Sequence, residues 1–280
     1  MFDILTELFS YAFLRHAVIA GIFIALCAAL LGVSLVLKKY SMIGDGLSHV
    51  AFGAMAVATA ANLAPLKIAV PVVVLAAFLL LRISESSKIK GDSAVAIIST
   101  GALAVGVMAV SFTTGMNVDV YNYMFGSILS VSGSDVTLSV ILCSVVLVLF
   151  IFLYNRLFAV TFDESFARAS GIRAGLYNML IAVLTAVTVV LGMRLMGALL
   201  ISALIIFPSL TAMRVFKTFK GVTICAAVVS VVSFMVGIIL SYRFNTPAGA
   251  GIVCVNIIAL GIFATAGYIK TKAFGVLRND

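Results

Sequence analysis

Asp45 and His49 stand four residues apart in the apolar stretch Met42–Val57, MIGDGLSHVAFGAMAV. On an α-helix this spacing puts both side chains on one face, one turn apart. A carboxylate and an imidazole that converge in this way form a cation site. An ionisable group inside a bilayer costs at least ~2.5–3.5 kcal/mol, so its presence asks for a function. One chain offers one carboxylate and one imidazole, too few for a closed divalent site. A two-fold axis beside this helix brings two of each together, and four N/O ligands suit Zn²⁺ or, in other geometry, Mn²⁺ or Fe²⁺. No cysteine or methionine cluster accompanies the pair, which disfavours Cu⁺. The competing structural reading makes Asp45 a cap at the helix start, with His49 hydrogen-bonded to it. Gly44, Gly46, Ser48, Ala51, Gly53 and Ala54 surround the pair and allow other helices to approach closely.

Composition decides the setting. The 280 residues are 64% hydrophobic and 10% charged, against about 25% charged for a soluble domain. The fold expected is all-α, a single polytopic membrane domain over 1–280. Spans of ~20 apolar residues fall at about 14–37, 42–61, 66–82, 93–114, 136–154, 175–193, 195–213, 221–241 and 247–269. That makes nine, or eight if 175–213 is one span, with Gly192–Arg194 as the only turn signal within it. Residues 1–13 form an interfacial lead-in. The net charge of +8 does not indicate nucleic acid, because the basic residues sit in short gaps between apolar runs. Fourteen of the eighteen Lys and Arg fall on one side under this alternation. The positive-inside bias then places the N-terminus outside and the C-terminus in the cytoplasm. Cys27, Cys143, Cys225 and Cys254 lie far apart in apolar runs without a CxxC pair, and read as small buried hydrophobes.

Three gaps and spans carry further signals. Gly115–Asp135 has no Lys or Arg and is semi-apolar; it reads equally as an outer re-entrant helix or an amphipathic external loop. Pro208, inside Gly197–Ala212, kinks the seventh span, which shapes either a pathway or only the packing. Asn245-Thr246-Pro247 reads as a helix start with Thr246 as cap and Pro247 at the first helical position. The cytoplasmic loop 155–174 contains VTFDESFARASGIRAG. There Phe162, Phe166 and Ala167 or Ala169 share one face, and Asp163, Glu164 and Arg168 the other. Acid early, Arg late and Gly171 as a stop predict a short amphipathic helix over about Asp163–Ser170. Such a helix is marginal alone and is fixed against a membrane surface or a partner's groove. Asp92 opens the fourth span as an N-terminal cap. There is no GxxxxGK[ST], HExxH or GxSxG, so the chain holds no ATP by a phosphate loop and is not an enzyme of those kinds.

The segment KKYSMIGDGLSHVAFGAMAV resembles the signature of the ABC-3 class of metal-ion importer permeases, the zinc/manganese/iron group. A basic pair, here Lys38-Lys39, ends the first span and an Asp-x-x-x-His motif follows. GALLISALIIFPSLTA, FDESFARASGI and NTPAGAGIV resemble further family segments in the same order, although Ala248 stands where a Thr is common. The likeness covers about residues 14–270. It implies a bacterial cytoplasmic (inner) membrane, multi-pass permease that pairs with a second copy of itself. It implies two cytoplasmic ATPase subunits that bind through a coupling segment (Phe162, Asp163, Glu164, Phe166, Ala167, Arg168, Gly171), and an extracytoplasmic metal-binding protein. It implies Asp45 and His49 as ligands of a transported divalent ion, with no permanently bound cofactor. A secondary metal carrier without ATPase, a permease for a chelate such as a siderophore, and a non-transport assembly factor are the other readings.

Overall fold

A computed structural model describes residues 12–86, 91–112, 133–244 and 246–276, and among these it is all-helical. The order is α1 (Ala12–Leu37), α2 (Ser41–Ala60), α3 (Pro65–Ser86), α4 (Gly91–Ser111), α5 (Gly133–Phe152) and α6 (Tyr154–Phe162). There follow α7 (Glu164–Ala169), α8 (Ala174–Met196), α9 (Ala198–Met213), α10 (Phe219–Phe244) and α11 (Ala248–Val276). Residues 1–11 of the expected lead-in, the last two residues of the expected fourth span and residues 115–132 of the expected outer segment lie outside the described residues.

Each expected span corresponds to one of these helices, but two fall short of the others as membrane crossings. Seven are long and apolar enough to cross a bilayer by length and composition. The remaining two are α2 and α9. α2 has 20 residues but carries Asp45, His49 and several small or polar residues; α9 has only 16 residues, roughly 24 Å at 1.5 Å per residue. Both are shielded: most of α2 is buried, including Leu47, Phe52 and Met55, and so is most of α9, including Leu200, Ile201 and Leu204. A helix wrapped by protein does not need a lipid-facing apolar surface.

α1 and α8 form the centre of the bundle. α1 packs against α5, α8, α9 and α10, and α8 against α3, α2 and α1. α2 lies among α3, α4, α8 and α9, and α11 covers α9 and α10. Ile24, Leu31, Leu47, Leu191 and Leu200 are fully buried between them. Serines join helices across the apolar core: Ser230 Oγ donates to Ala25 O at 2.9 Å and Ser209 Oγ to Ala29 O at 3.4 Å. Such cross-helix hydrogen bonds help hold bundles together in lipid, where water exclusion contributes little. The outer faces of α4, α5 and α11 expose Ile97, Met108, Val148, Ile151, Ile258 and Ile262, the surface expected where solvent is hydrocarbon.

Three local expectations are corrected. The chain turns at Gly197, with φ of 89°, and not at Gly192–Arg194. Gly192 is inside α8, where an added Cβ would meet Ile201 Cδ1 at 2.5 Å, so its small size serves packing against α9. Helix α11 begins at Ala248, and Pro247 provides the first carbonyl, which accepts from Gly251 N at 3.1 Å. Pro247 therefore takes the cap position assigned to Thr246, whose carbonyl instead accepts from Ser241 Oγ. Cys27 and Cys143 are buried as expected, but Cys225 is half-buried and Cys254 exposed.

Candidate functional site

α1 ends in a turn that fixes where α2 begins. Tyr40 N donates to Leu35 O at 2.8 Å and Lys39 N to Val36 O at 3.1 Å. This is the paired closure of a Schellman motif. Lys39 occupies its left-handed position with φ of 62°, where glycine is usual and a side chain is strained. Three residues after α1, Ser41 starts α2.

Tyr40, and not Asp45, stands at the cap position of α2, and it makes no side-chain cap bond. Asp45 is the fifth helical residue. Its Oδ2 lies 3.7 Å from His49 Nε2, with side-chain exposures of 42% and 28%. The structure thus brings the pair together one turn apart and excludes the capping role. Met42, Asp45 and His49 form an open strip along α2, while Ile43, Gly44, Leu47, Ser48 and Val50 beside them are buried. Ser48 Oγ donates to Asp45 O at 2.7 Å, which satisfies the hydroxyl within the helix. Among the described residues no three His, Cys, Asp or Glu side chains converge.

The glycines do what their size suggests. A Cβ on Gly53 would sit 2.4 Å from Ala102 O, and one on Gly106 would sit 2.8 Å from Gly53 Cα. A Cβ on Gly46 would meet Val95 Cγ1 at 2.5 Å. α2 and α4 are therefore in backbone contact alongside the pair. On another side, Gly44 faces Ile205 of α9. Pro208, three residues further on, is buried, and α9 remains helical through it. A cavity of about 190 Å³ lies beside the start of α2, lined by Lys38, Lys39, Tyr40, Met42, Asp92 and Val95 among others. Asp92 is the second residue of α4, inside its first turn and not at the cap position expected for it.

The segment after α5 is two helices, not one. The backbone extends at Asp163 (φ −147°, ψ 99°) and separates Phe162, the last residue of α6, from Phe166 in α7. The expected shared face of Phe162 and Phe166 on one helix is thus absent. Both rings are about two-thirds exposed, at 63% and 65%. Asp163 caps α7, its Oδ1 accepting from Phe166 N at 2.9 Å. Ala167 is buried against Val160 and Ala174 and anchors the helix. Gly171 N donates to Arg168 O and Ile172 N to Ala167 O, at 3.1 and 2.9 Å. This second Schellman closure puts Gly171 at φ of 80°, the stop read from the sequence.

Sequence reasoning missed what Glu164 touches. Its Oε1 accepts from Arg168 at 2.5 Å; its Oε2 accepts from Asn178 Nδ2 at 3.1 Å and from Lys38 Nζ at 3.4 Å. Lys38 Nζ also donates to Asn178 Oδ1. Burial raises the pKa of Glu164, but Asn178, Arg168 and Lys38 outweigh it and hold the carboxyl below its ordinary value. In the sequence Lys38 reads as a topology charge and as half of the basic pair that ends the first span, with no partner indicated. The available signal was Asn178, a lone amide in the apolar run of α8. A separate ion pair, Arg194 with Asp135 at 3.8 Å, joins the end of α8 to the start of α5.

The fold and the half-open Asp/His strip define a polytopic helical membrane protein with an ionisable pair on one face of a bundle helix. The model of the ABC 3 transport family matches residues 10–266, and the chain belongs to that family. It is 30% identical over 243 residues to the high-affinity zinc uptake system membrane protein ZnuB of Haemophilus influenzae, covering 87% of this chain and 93% of that protein. It is 29% identical over 271 residues to the manganese transport system membrane protein MntC of Halalkalibacterium halodurans, covering 97% and 91%. Among solved structures it is similar to PsaBC from Streptococcus pneumoniae in complex with Fab, with a TM-score of 0.84, 27% identity and coverage of 93% and 94%.

Proposed function

We propose that this chain is the membrane permease subunit of an ATP-binding-cassette importer for a divalent metal ion, zinc, manganese or iron, in a bacterial inner membrane. The observation that carries the reading is the Asp45/His49 pair on the open strip of α2, in a family whose relatives are named for manganese and zinc transport. Left against lipid, two ionisable groups would be costly. A second copy of the chain across the strip covers them and doubles the ligand set to two carboxylates and two imidazoles. Nine spans, with the N-terminus outside and the C-terminus inside, put α6 and α7 in the cytoplasm. There the exposed Phe162 and Phe166 meet a separate ATPase chain, and an extracytoplasmic binding protein delivers the ion from the opposite side. Hydrolysis-driven movement of α7 switches the Asp45/His49 site from outward to inward access, and buried Pro208 lies along α9 near the face that packs on α2.

ATP-dependent metal uptake by the reconstituted complex tests the site. Asp45→Ala and His49→Ala each lower uptake by about 10–100-fold, the range seen when metal affinity is disturbed, while the ATPase still co-purifies. Normal uptake by both variants refutes the assignment.

A further inference from the structure

Lys38 is the unexpected residue. It belongs to a basic pair at the end of a membrane helix, where long cationic side chains usually reach out to the lipid headgroups. Here its side chain is only 10% exposed. It turns inward onto Asn178, itself 5% exposed, and onto Glu164 of α7. A buried ammonium is costly unless paired and hydrogen-bonded, and this one has both kinds of partner. The arrangement joins the end of α1 to the start of α7 and the first turns of α8, 126 and 140 residues further along the chain.

The location of this junction matters more than its strength. Lys38 is the last residue before the left-handed Lys39, and the turn is closed by two backbone hydrogen bonds. Tyr40 then leads directly into α2. From Lys38 to Asp45 there are only seven residues, most of them in a closed turn or helix, with no slack to absorb a displacement. Few direct contacts join α1 and α2 elsewhere, whereas α2 is held tightly to α4. A shift of Glu164 therefore pulls on Lys38, and through the locked turn on the base of α2.

We propose that Lys38, Glu164 and Asn178 form the mechanical link that carries movement of α7 to the helix bearing Asp45 and His49, with Lys38 as the positioning residue. The inference rests on the reading of α7 as the ATPase contact. Arg168 holds the opposite oxygen of Glu164, so the carboxylate is gripped from the solvent side and the bundle side at once.

The test is metal taken up per ATP hydrolysed, measured in proteoliposomes holding the permease with its co-purified ATPase. Lys38→Gln and Glu164→Gln each lower this ratio about tenfold, within the range of typical coupling between sites; with Lys38→Gln, which lies outside the ATPase-binding segment, ATPase retention and hydrolysis persist. The double variant is no worse than the poorer single, because both remove one link. Lys38→Arg, which keeps the charge, restores at least half of the ratio. A purely structural role would lower assembly and leave the ratio unchanged. If a single variant does not assemble, the double decides: an assembled double, which leaves only the exposed Arg168 without its partner, supports the pair, and a double that also fails overturns it. An unchanged ratio with bound, active ATPase overturns the link alone. A wild-type chain that retains no ATPase overturns both the link and the reading beneath it.

Discussion

Replacing Gly53 by alanine adds one methyl group and should nevertheless impair transport. In an isolated helix the change is favourable, since alanine stabilises a helix interior by about 0.5–1 kcal/mol over glycine. In this bundle the new Cβ would stand 2.4 Å from the carbonyl oxygen of Ala102 and 3.0 Å from its carbon, whereas ordinary contact begins near 3.4 Å. The obstacle is backbone, which has no rotamer to change, so α2 and α4 must separate by about 1 Å. Gly106 makes the contact mutual, because a Cβ there would stand 2.8 Å from Gly53 Cα. Overpacking of this kind costs about 1–3 kcal/mol, more than the helix gains. Gly53 is one turn beyond His49, so the separation displaces the candidate site. An error of 1 Å in a positioned constellation costs up to ~100-fold, and uptake should fall at least tenfold. Gly261→Ala is the control: it lies within α11, where an added Cβ meets nothing within 4 Å. Both variants are assayed for ATP-dependent uptake and for an assembled complex by size exclusion. Gly53→Ala uptake within about twofold of the Gly261→Ala value would refute the argument that backbone contact between α2 and α4 sets the site.

Two further outcomes follow from the segment at α7. Asp163→Ala removes the only side-chain cap of a six-residue helix; it costs about 0.5–2 kcal/mol and weakens ATPase retention on purification. Asp163→Asn, which keeps the acceptor, retains the ATPase. Glu164 provides a pH test. Its folded pKa lies below the ordinary 4.5, so its contribution is complete above that value and is lost as pH falls through the lower folded value. The difference in thermal stability between wild type and Glu164→Gln stays constant from pH 7 to 5 and shrinks only below about 4.5. Shrinkage between pH 7 and 5 would show that the network does not favour the carboxylate.

Much of this protein is legible in its residue order because a bilayer permits few solutions. Long apolar runs must be helices, as no other open structure satisfies their backbone in lipid. The i, i+4 spacing alone puts Asp45 beside His49, and an acid-first, glycine-last segment predicts α7 and its stop at Gly171. Where local signals were sparse, the tertiary structure decided. Gly192 and Gly197 look alike in sequence; only packing against Ile201 makes one a contact and only a φ of 89° makes the other a turn. The break at Asp163 parts two phenylalanines that helical spacing had joined, because capping α7 required an extended residue there. Lys38 and Glu164 are 126 residues apart. No periodicity can foresee their meeting, since it depends on how α1, α7 and α8 converge at one end of the bundle.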